Sequence, residues 1–297
     1  MKTVLSTLVL GLFALNLASP ASAQPADVKK LEAEVATLQG QVSALQTTIN
    51  SASAQNAFAL GQFVTVDTTD TINGLAAPHI IFTGANLHVR DGSGSTNDSG
   101  GTTTGLGNLV IGYDEAPASP PVGYRSGSHD LVVGPGHTFN SFGGFVAGDT
   151  NAVEGPSASV SGGHANAATG MESSVSAGVG NAATDFGTSV SGGHSNAAVT
   201  FGASVSGGNS NVASGDFASV SGGGDNQASS ADASVSGGEG NIASEAAASV
   251  SGGIFNQATG FEASVSGGSS ETASGDNSTV GGGVAGQNAS GTNEFLP

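Results

Sequence analysis

The feature that most constrains the fold of this chain is a fifteen-residue repeat in its C-terminal half. From Ser189 to Ser264 the pentapeptide Ser-Val-Ser-Gly-Gly returns every fifteen residues without a break. Self-similarity at a fixed period is typical of stacked architectures, in which each repeat packs only on its neighbours. We therefore interpret residues 144–297 as one regular repeat array before considering any shorter motif.

Aligning the repeats gives four columns of nearly constant residue type. The valine column runs from Val160 to Val280, the glycine column from Gly148 to Gly283, the asparagine column from Asn151 to Asn256, and the alanine column from Ala168 to Ala273. Glu271 interrupts the asparagine column, and the last repeat is one residue longer than the others. Gly and Asn tolerate positive φ, so both columns predict a tight turn at the same point of every repeat. Stacked asparagines would also hydrogen-bond along the array.

Between the turns, the order Ala203-Ser204-Val205-Ser206-Gly207 predicts a short strand. Alternation sends Ala, Val and Gly to one face and both serines to the other. Fifteen residues span roughly 50 Å of extended chain, which is enough for two short strands and two turns. The sequence therefore predicts a mainly β fold, a flat parallel β-roll or β-solenoid with two sheets. Each coil buries one Val and a few small residues, so we expect several rolls to pack side by side.

The motif Ser-Val-Ser-Gly-Gly-x-x-Asn-x-Ala-Ser-Gly, as in Ser204 to Gly215, resembles the head repeats of the YadA-like trimeric autotransporter adhesins. The resemblance covers about half of the chain. It implies a left-handed parallel β-roll that is homotrimeric, extracellular and adhesive. The membrane-anchoring segment of that family has no counterpart in Asn293 to Pro297. We therefore expect that another protein anchors the chain, that it is released, or that it is not an autotransporter.

The N-terminal residues predict export and self-association. Residues 1–23 have the pattern of a cleavable signal peptide, with Lys2, an apolar run and the small residues Ala21-Ser22-Ala23; the alternative is an N-terminal membrane anchor. We therefore expect a secreted or cell-surface protein without a membrane span after cleavage. Residues 24–59 predict a coiled-coil helix, because seven apolar residues alternate at spacings of three and four: Val28, Leu31, Val35, Leu38, Val42, Leu45 and Ile49.

The oligomeric state stays open between dimer and trimer. β-Branched residues at position a with Leu at position d favour two strands, whereas the resemblance implies three. An alternative for the same heptads is an amphipathic helix packed on its own domain. The partner that we predict is in either case the chain itself, with an extracellular glycan or protein as a further ligand.

Residues 60–143 contain short β-rich runs bounded by Gly, Asn, Asp and Pro, which predict an irregular β-solenoid region with loops. We expect wider coils of the same solenoid, carrying loops at Asp91 to Gly105 and Asp114 to Gly127. Loops on a rigid scaffold are where binding usually resides.

The net charge of −18 and only five basic residues argue against nucleic-acid binding, and the lack of Cys excludes disulfides and thiolate-bound metals.

The sequence contains several candidate sets for catalysis or metal binding. The adjacent Asp114 and Glu115 would point to opposite faces of a strand, which does not suit glycoside cleavage, and Arg90 and Arg125 are interpreted as surface residues. His164 and His194 lie two coils apart, about 10 Å, too far to share a metal ion. Asp91, Asp98 and Asp114 could ligate Ca²⁺ from loops, but their spacing matches no EF-hand loop. We therefore predict no catalytic, cofactor-binding or metal-binding residues.

Phe186 and Phe201 share one column in neighbouring coils, with Met171 before them and Phe261 later. Such a ladder is either filling between packed rolls or an exposed contact patch.

The sequence as a whole predicts a secreted structural or adhesive fibrous protein and not an enzyme. Two alternatives are an ice- or crystal-surface-binding solenoid, using the regular lattice of Ser residues, and a tailspike-like polysaccharide-degrading enzyme.

Overall fold

A computed structural model describes residues 25–51, 59–100, 102–117, 120, 122–283 and 286–297. The chain divides into two compact units, Met1–Leu87 and His88–Pro297. The predicted signal peptide, residues 1–23, lies outside the described residues. Within the ranges above, none of the helices has the length and hydropathy that a bilayer span requires.

The first unit contains helix α1 (Pro25–Ile49) and strands β1 (Val64–Asp67) and β2 (His79–Phe82). Pro at the first helical position suits a helix N-terminus, because Pro has no backbone N–H that would need a partner there. Asp27 in the first turn also suits it, because a carboxylate interacts favourably with the positive end of the helix dipole. The two strands pair antiparallel in a sheet of their own. Of the predicted helical stretch 24–59, residues 24 and 52–58 lie outside the described part.

The apolar seam of α1 faces solvent along the helix. Its side chains from Val28 to Leu45 are between 45% and 62% exposed, with Val35 at the lower and Leu31 at the upper limit. A helix that packed its seam against its own domain would bury these residues. In the described part of the chain, the seam is therefore an apolar stripe available to a partner.

The second unit is a parallel β-solenoid with two sheets, which confirms the predicted fold class of stacked fifteen-residue coils behind an N-terminal helix. We call the 13-stranded sheet that carries the valine column the valine sheet and the 11-stranded sheet that carries the alanine column the alanine sheet. The valine sheet contains β3 (Leu109–Ile111), β4 (Leu131–Val133), β6 (Phe145–Ala147), β8 (Ser159–Val160), β10 (Ser174–Val175), β12 (Ser189–Val190), β14 (Ser204–Val205), β16 (Ser219–Val220), β18 (Ser234–Val235), β20 (Ser249–Val250), β22 (Ser264–Val265), β24 (Thr279–Val280) and β26 (Phe295–Leu296). The alanine sheet contains β5 (Thr138–Phe139), β7 (Ala152–Val153), β9 (Ala167–Ala168), β11 (Ala182–Ala183), β13 (Ala197–Ala198), β15 (Val212–Ala213), β17 (Gln227–Ala228), β19 (Ile242–Ala243), β21 (Gln257–Ala258), β23 (Thr272–Ala273) and β25 (Asn288–Ala289).

The core lies between the two sheets and is built from small residues. The valine column from Val160 to Val280 is at most 1% exposed, and the alanine column from Ala168 to Ala273 is fully buried. Strand serines such as Ser204 are only partly buried, and Ser206 is exposed, as the alternation predicts. A third line of single parallel bridges runs from Asp149 to Ser269 along the turns between the sheets.

The asparagine column stacks inside the solenoid and bonds along it. In Asn181, the side-chain Nδ2 donates to the carbonyls of Ala177 in the same coil and Gly193 in the next coil, each at 3.0 Å. Its backbone N–H donates to Oδ1 of Asn166 at 3.0 Å. The predicted hydrogen bonding between stacked asparagines is therefore present, and it runs chiefly through the backbone.

The turn geometry differs from the prediction. Positive φ occurs at the glycine column, as expected, but also at the residue before each asparagine, for example Ala165, Ser195 and Ser210, rather than at the asparagine. The asparagine side chain must point inward to reach the carbonyls, so its neighbour takes the left-handed backbone conformation.

The region 60–143 also differs in part from the predicted irregular solenoid. Strands β3 and β4 belong to the valine sheet, with Leu109 opposite Leu131. Strands β1 and β2 instead pair with each other, Val64 opposite Phe82, in the first unit. The run Leu87–Val89 forms no strand. A short apolar run does not specify its partner, so the sequence could not separate a hairpin from a coil.

Candidate functional site

Three titratable side chains converge beside the first coils of the solenoid: Asp91, Asp98 and His129. One ligand-capable atom of each lies within 4.8 Å of the others. Asp98 begins a short 3₁₀ turn, Asp98–Gly100, and His129 lies two residues before β4. We call these three residues the acidic cluster.

Asp91 is held as a carboxylate by its own loop. The backbone N–H of Ser93 donates to Oδ1 at 2.8 Å, and Thr104 Oγ1 donates to Oδ2 at 3.1 Å. The side chain is only 1% exposed. The Ser93 N–H bond is the main reason that the pKa of Asp91 lies below its usual range.

The ring of His129 is oriented by a backbone carbonyl. Its Nδ1 lies 3.1 Å from the carbonyl oxygen of Thr96, which can only accept a hydrogen bond. Nδ1 therefore carries a hydrogen, and in the neutral ring Nε2 is the acceptor nitrogen, which receives the backbone N–H of Asp91 at 3.4 Å. Nε2 faces the cluster, 3.4 Å from Oδ1 of Asp91.

Asp98 is the least satisfied member of the acidic cluster. The residue is 7% exposed, and neither carboxylate oxygen has a hydrogen-bond partner. Asp98 also acts on the neighbouring Asp130. Burial is the main reason that the pKa of Asp130 is raised to about 6, and the negative charge of Asp98 contributes to the rise. Asp98 therefore adds a third carboxylate to a region that already holds the buried carboxylates of Asp91 and Asp130.

An open cavity of about 630 Å³ adjoins the cluster. Asp91 and His129 form part of its wall, together with His88, Arg90 and Ser95. Arg90 Nη2 lies 3.4 Å from Nδ1 of His88 and makes no ion pair with a described carboxylate. The cavity gives solvent and small solutes a path to the cluster.

The structure places the other acidic candidate elsewhere. Asp114 is buried and pairs with Arg125 through Nη2 at 2.8 Å, and its Oδ1 accepts the N–H of His137 at 3.2 Å. Arg125 also donates to the carbonyls of Asp114 and Glu115. The Glu115 side chain is exposed, so Asp114 and Glu115 do not present two carboxylates to one point. Of the three aspartates considered for Ca²⁺, only Asp91 and Asp98 come together.

His129 was missed by sequence reasoning. It lies 38 residues from Asp91 and outside the regular repeat. The only local sign is its place just before a β-rich run, which is not specific for a ligand. The contact depends on how residues 91–98 fold back on the start of β4.

His164 and His194 lie on the third bridge line, separated by Val179. His164 Nδ1 bonds Asp149 Oδ2 at 2.9 Å, and His194 Nδ1 bonds Asn209 Oδ1 at 3.1 Å. Each histidine has its own partner in an adjacent coil, and both are exposed.

The aromatic ladder is present on the solenoid surface. Phe186 and Phe201 stack with ring centroids 5.4 Å apart, and Phe217 meets Phe201 edge to face at 5.0 Å. The three rings are 37%, 41% and 58% exposed in chain order. Phe217 was not predicted, because it lies sixteen residues after Phe201 and so falls outside the column. We call these three residues the phenylalanine row.

Comparison with protein-family models and with curated proteins gives no match to this chain.

Proposed function

We infer that this protein is a secreted, non-enzymatic fibrous protein that assembles with copies of itself and has a structural or adhesive role. The observation that carries the proposal is the unbroken stack of coils in register, in which Ser189, Ser204 and Ser219 lie opposite one another. Such a stack presents the same outward side chains every fifteen residues. A repeating surface suits an extended or repetitive ligand, because several weak contacts add through multivalency.

Helix α1 supports self-association. Leu31, Leu38 and Leu45 form one apolar edge of the seam and are each more than half exposed. The strict three-and-four spacing suits burial against identical helices, and a coiled coil of several chains buries the seam completely. A homotrimer is the state implied by the resemblance to adhesin head repeats.

The phenylalanine row supports a contact role for the solenoid face. Phe201 lies between two aromatic neighbours and is still 41% exposed. Aligned rings offer apolar faces to a sugar or to a protein side chain. The ligand that we propose is an extracellular glycan or matrix protein.

Sedimentation tests the assembly. The chain without residues 1–23 is expected to sediment as a dimer or trimer, and Leu38→Lys is expected to dissociate it because the ammonium would be buried in the seam. Ala36→Lys is the matched control, since position 36 lies away from the seam. A monomeric wild-type chain, or equal behaviour of the two variants, would contradict the proposal.

Binding tests the adhesive role. Wild-type protein is screened on immobilised glycans and matrix proteins, and we expect Phe201→Ala to weaken retention by at least about tenfold through loss of the central ring. Ser206→Ala, on the same coil, is expected to bind as wild type. Retention that is insensitive to Phe201→Ala would remove the phenylalanine row from the proposed binding surface.

A further inference from the structure

We propose that Asp91, Asp98 and His129 form a binding site for a divalent transition-metal ion of the Zn²⁺ type. The three ligand-capable atoms lie within 4.8 Å of one another, a spacing that one ion can bridge with bonds of about 2.0 to 2.2 Å after small side-chain adjustments. Two carboxylates and one imidazole make a three-ligand protein set. Asp91 and His129 also line the cavity of about 630 Å³, through which water can reach the cluster.

The tautomer of His129 fits a metal ligand. Its Nδ1 donates to the Thr96 carbonyl, so Nε2 is the nitrogen that would bind the ion, in place of the long 3.4 Å bond that it accepts from the Asp91 N–H. Histidines that bind metals usually donate their second ring N–H to a carbonyl or carboxylate, which fixes the ring and raises its basicity. Thr104 Oγ1 supports Asp91 in the same way by donating to Oδ2.

Asp98 supplies an independent argument. The residue is more than nine-tenths buried and neither carboxylate oxygen has a partner. One of its oxygens lies within 4.8 Å of a ligand-capable atom of Asp91 and of one of His129. An ionised carboxylate left without a donor is costly inside a protein, whereas a cation between the three groups satisfies all of them.

The donor set selects the class of ion. Ca²⁺ and Mg²⁺ prefer sites built from oxygen alone, whereas imidazole suits Zn²⁺, Co²⁺ and Ni²⁺. The ion would join the 91–98 loop to the start of β4, at the N-terminal end of the solenoid. Its expected effect is therefore to stabilise the loop that forms the cavity wall.

The test uses the untagged full-length secreted chain, stripped of metal with a chelator. Titration with Zn²⁺ is expected to show one ion per chain, Co²⁺ is expected to give the visible absorption of a low-coordinate site, and Ca²⁺ is expected to leave both readouts unchanged. Asp98→Asn keeps the shape and the tolerance of positive φ at this position, where φ is 50°. We expect it to weaken Zn²⁺ binding at least about 100-fold.

Stability gives a second readout that a purely structural aspartate would not produce. Without metal, Asp98→Asn is expected to raise the unfolding midpoint, because it removes an unpartnered buried charge. With saturating Zn²⁺, wild type is expected to gain stability and the variant is not.

His129→Asn is expected to lose Zn²⁺ binding as well, whereas His164→Asn tests the exposed pair with Asp149 and is expected to bind as wild type. Wild type that binds no Zn²⁺ at 100 μM, or an Asp98→Asn chain that binds it unchanged, would overturn the proposal.

Discussion

The Oδ1 atom of Asn196 accepts the backbone N–H of Asn211, fifteen residues later, at 3.0 Å. The same bond recurs in each coil from Asn151 to the N–H of Glu271. Each asparagine also donates from Nδ2 to one carbonyl of its own coil and one of the next. A single buried side chain thus bonds backbone N–H and C=O groups of two successive coils at the turn between the sheets.

This arrangement predicts that Asn211→Ala is strongly destabilising. The change removes the acceptor for the Asn226 N–H and the donor for the Gly207 carbonyl. Buried groups without partners cost about 1 to 3 kcal/mol each, so we expect a loss of about 2 to 5 kcal/mol in the free energy of unfolding. Urea unfolding followed by circular dichroism measures the change.

Asn209→Ala is the matched control for that experiment. Asn209 lies on the same coil, is exposed, and contacts the His194 ring through Oδ1. We expect a change within about 0.5 kcal/mol, as for most surface positions. Equal losses for the two variants would show that the inward ladder contributes little to stability.

The glycine column predicts a contrast between two adjacent residues. A Cβ at Gly208 would overlap the carbonyl oxygen of Gly223 in the next coil, and its φ is 92°. A Cβ at Gly207 would meet nothing within 4 Å. We expect Gly208→Ala to abolish cooperative unfolding or lower the midpoint sharply, and Gly207→Ala to leave it nearly unchanged. Similar midpoints would argue against the close approach of successive coils at this turn.

The ion pair of Arg125 with Asp114 gives a third prediction. Asp114 is 6% exposed, and removal of the guanidinium would leave its carboxylate buried without a positive partner. We expect Arg125→Gln to lower the free energy of unfolding by about 3 kcal/mol. Asp114→Asn together with Arg125→Gln is expected to recover part of this loss, because the uncompensated charge is gone. A double variant no more stable than Arg125→Gln would assign the loss to the carbonyl contacts of Arg125 instead.

The regular solenoid was predictable because each repeat specifies the same register. The spacing of fifteen between Val190 and Val205 is the spacing of their strands in the valine sheet. The turn at the asparagine column was predicted, but the residue with positive φ precedes the asparagine. Asn suits both positive φ and side-chain bonding, and the local sequence does not separate the two. The acidic cluster was not predictable, because the approach of His129 to Asp91 depends on an irregular loop. Periodicity constrains only the residues that repeat.

Two departures from the repeat pattern compensate for each other: Glu271 replaces an asparagine, and the coil that follows is longer than the others. The last coil has one extra residue, and Glu271 Oε2 accepts the N–H of Gln287, sixteen residues later, at 2.8 Å. Asn256 Oδ1 makes the equivalent bond to the N–H of Glu271 at 2.9 Å, fifteen residues later. A side chain longer by one methylene therefore accompanies the longer coil. The second oxygen, Oε1, is buried without a partner.

Glu271→Gln should therefore stabilise the solenoid. Glutamine keeps the reach to the Gln287 N–H and replaces a fully buried, half-satisfied carboxylate with a neutral amide whose Nε2 can donate. We expect a gain of about 1 kcal/mol or more in the free energy of unfolding. Glu239→Gln, at an exposed position, is expected to change it by less than about 0.5 kcal/mol. A Glu271→Gln chain less stable than wild type would mean that the charged form of Glu271 stabilises the last coil.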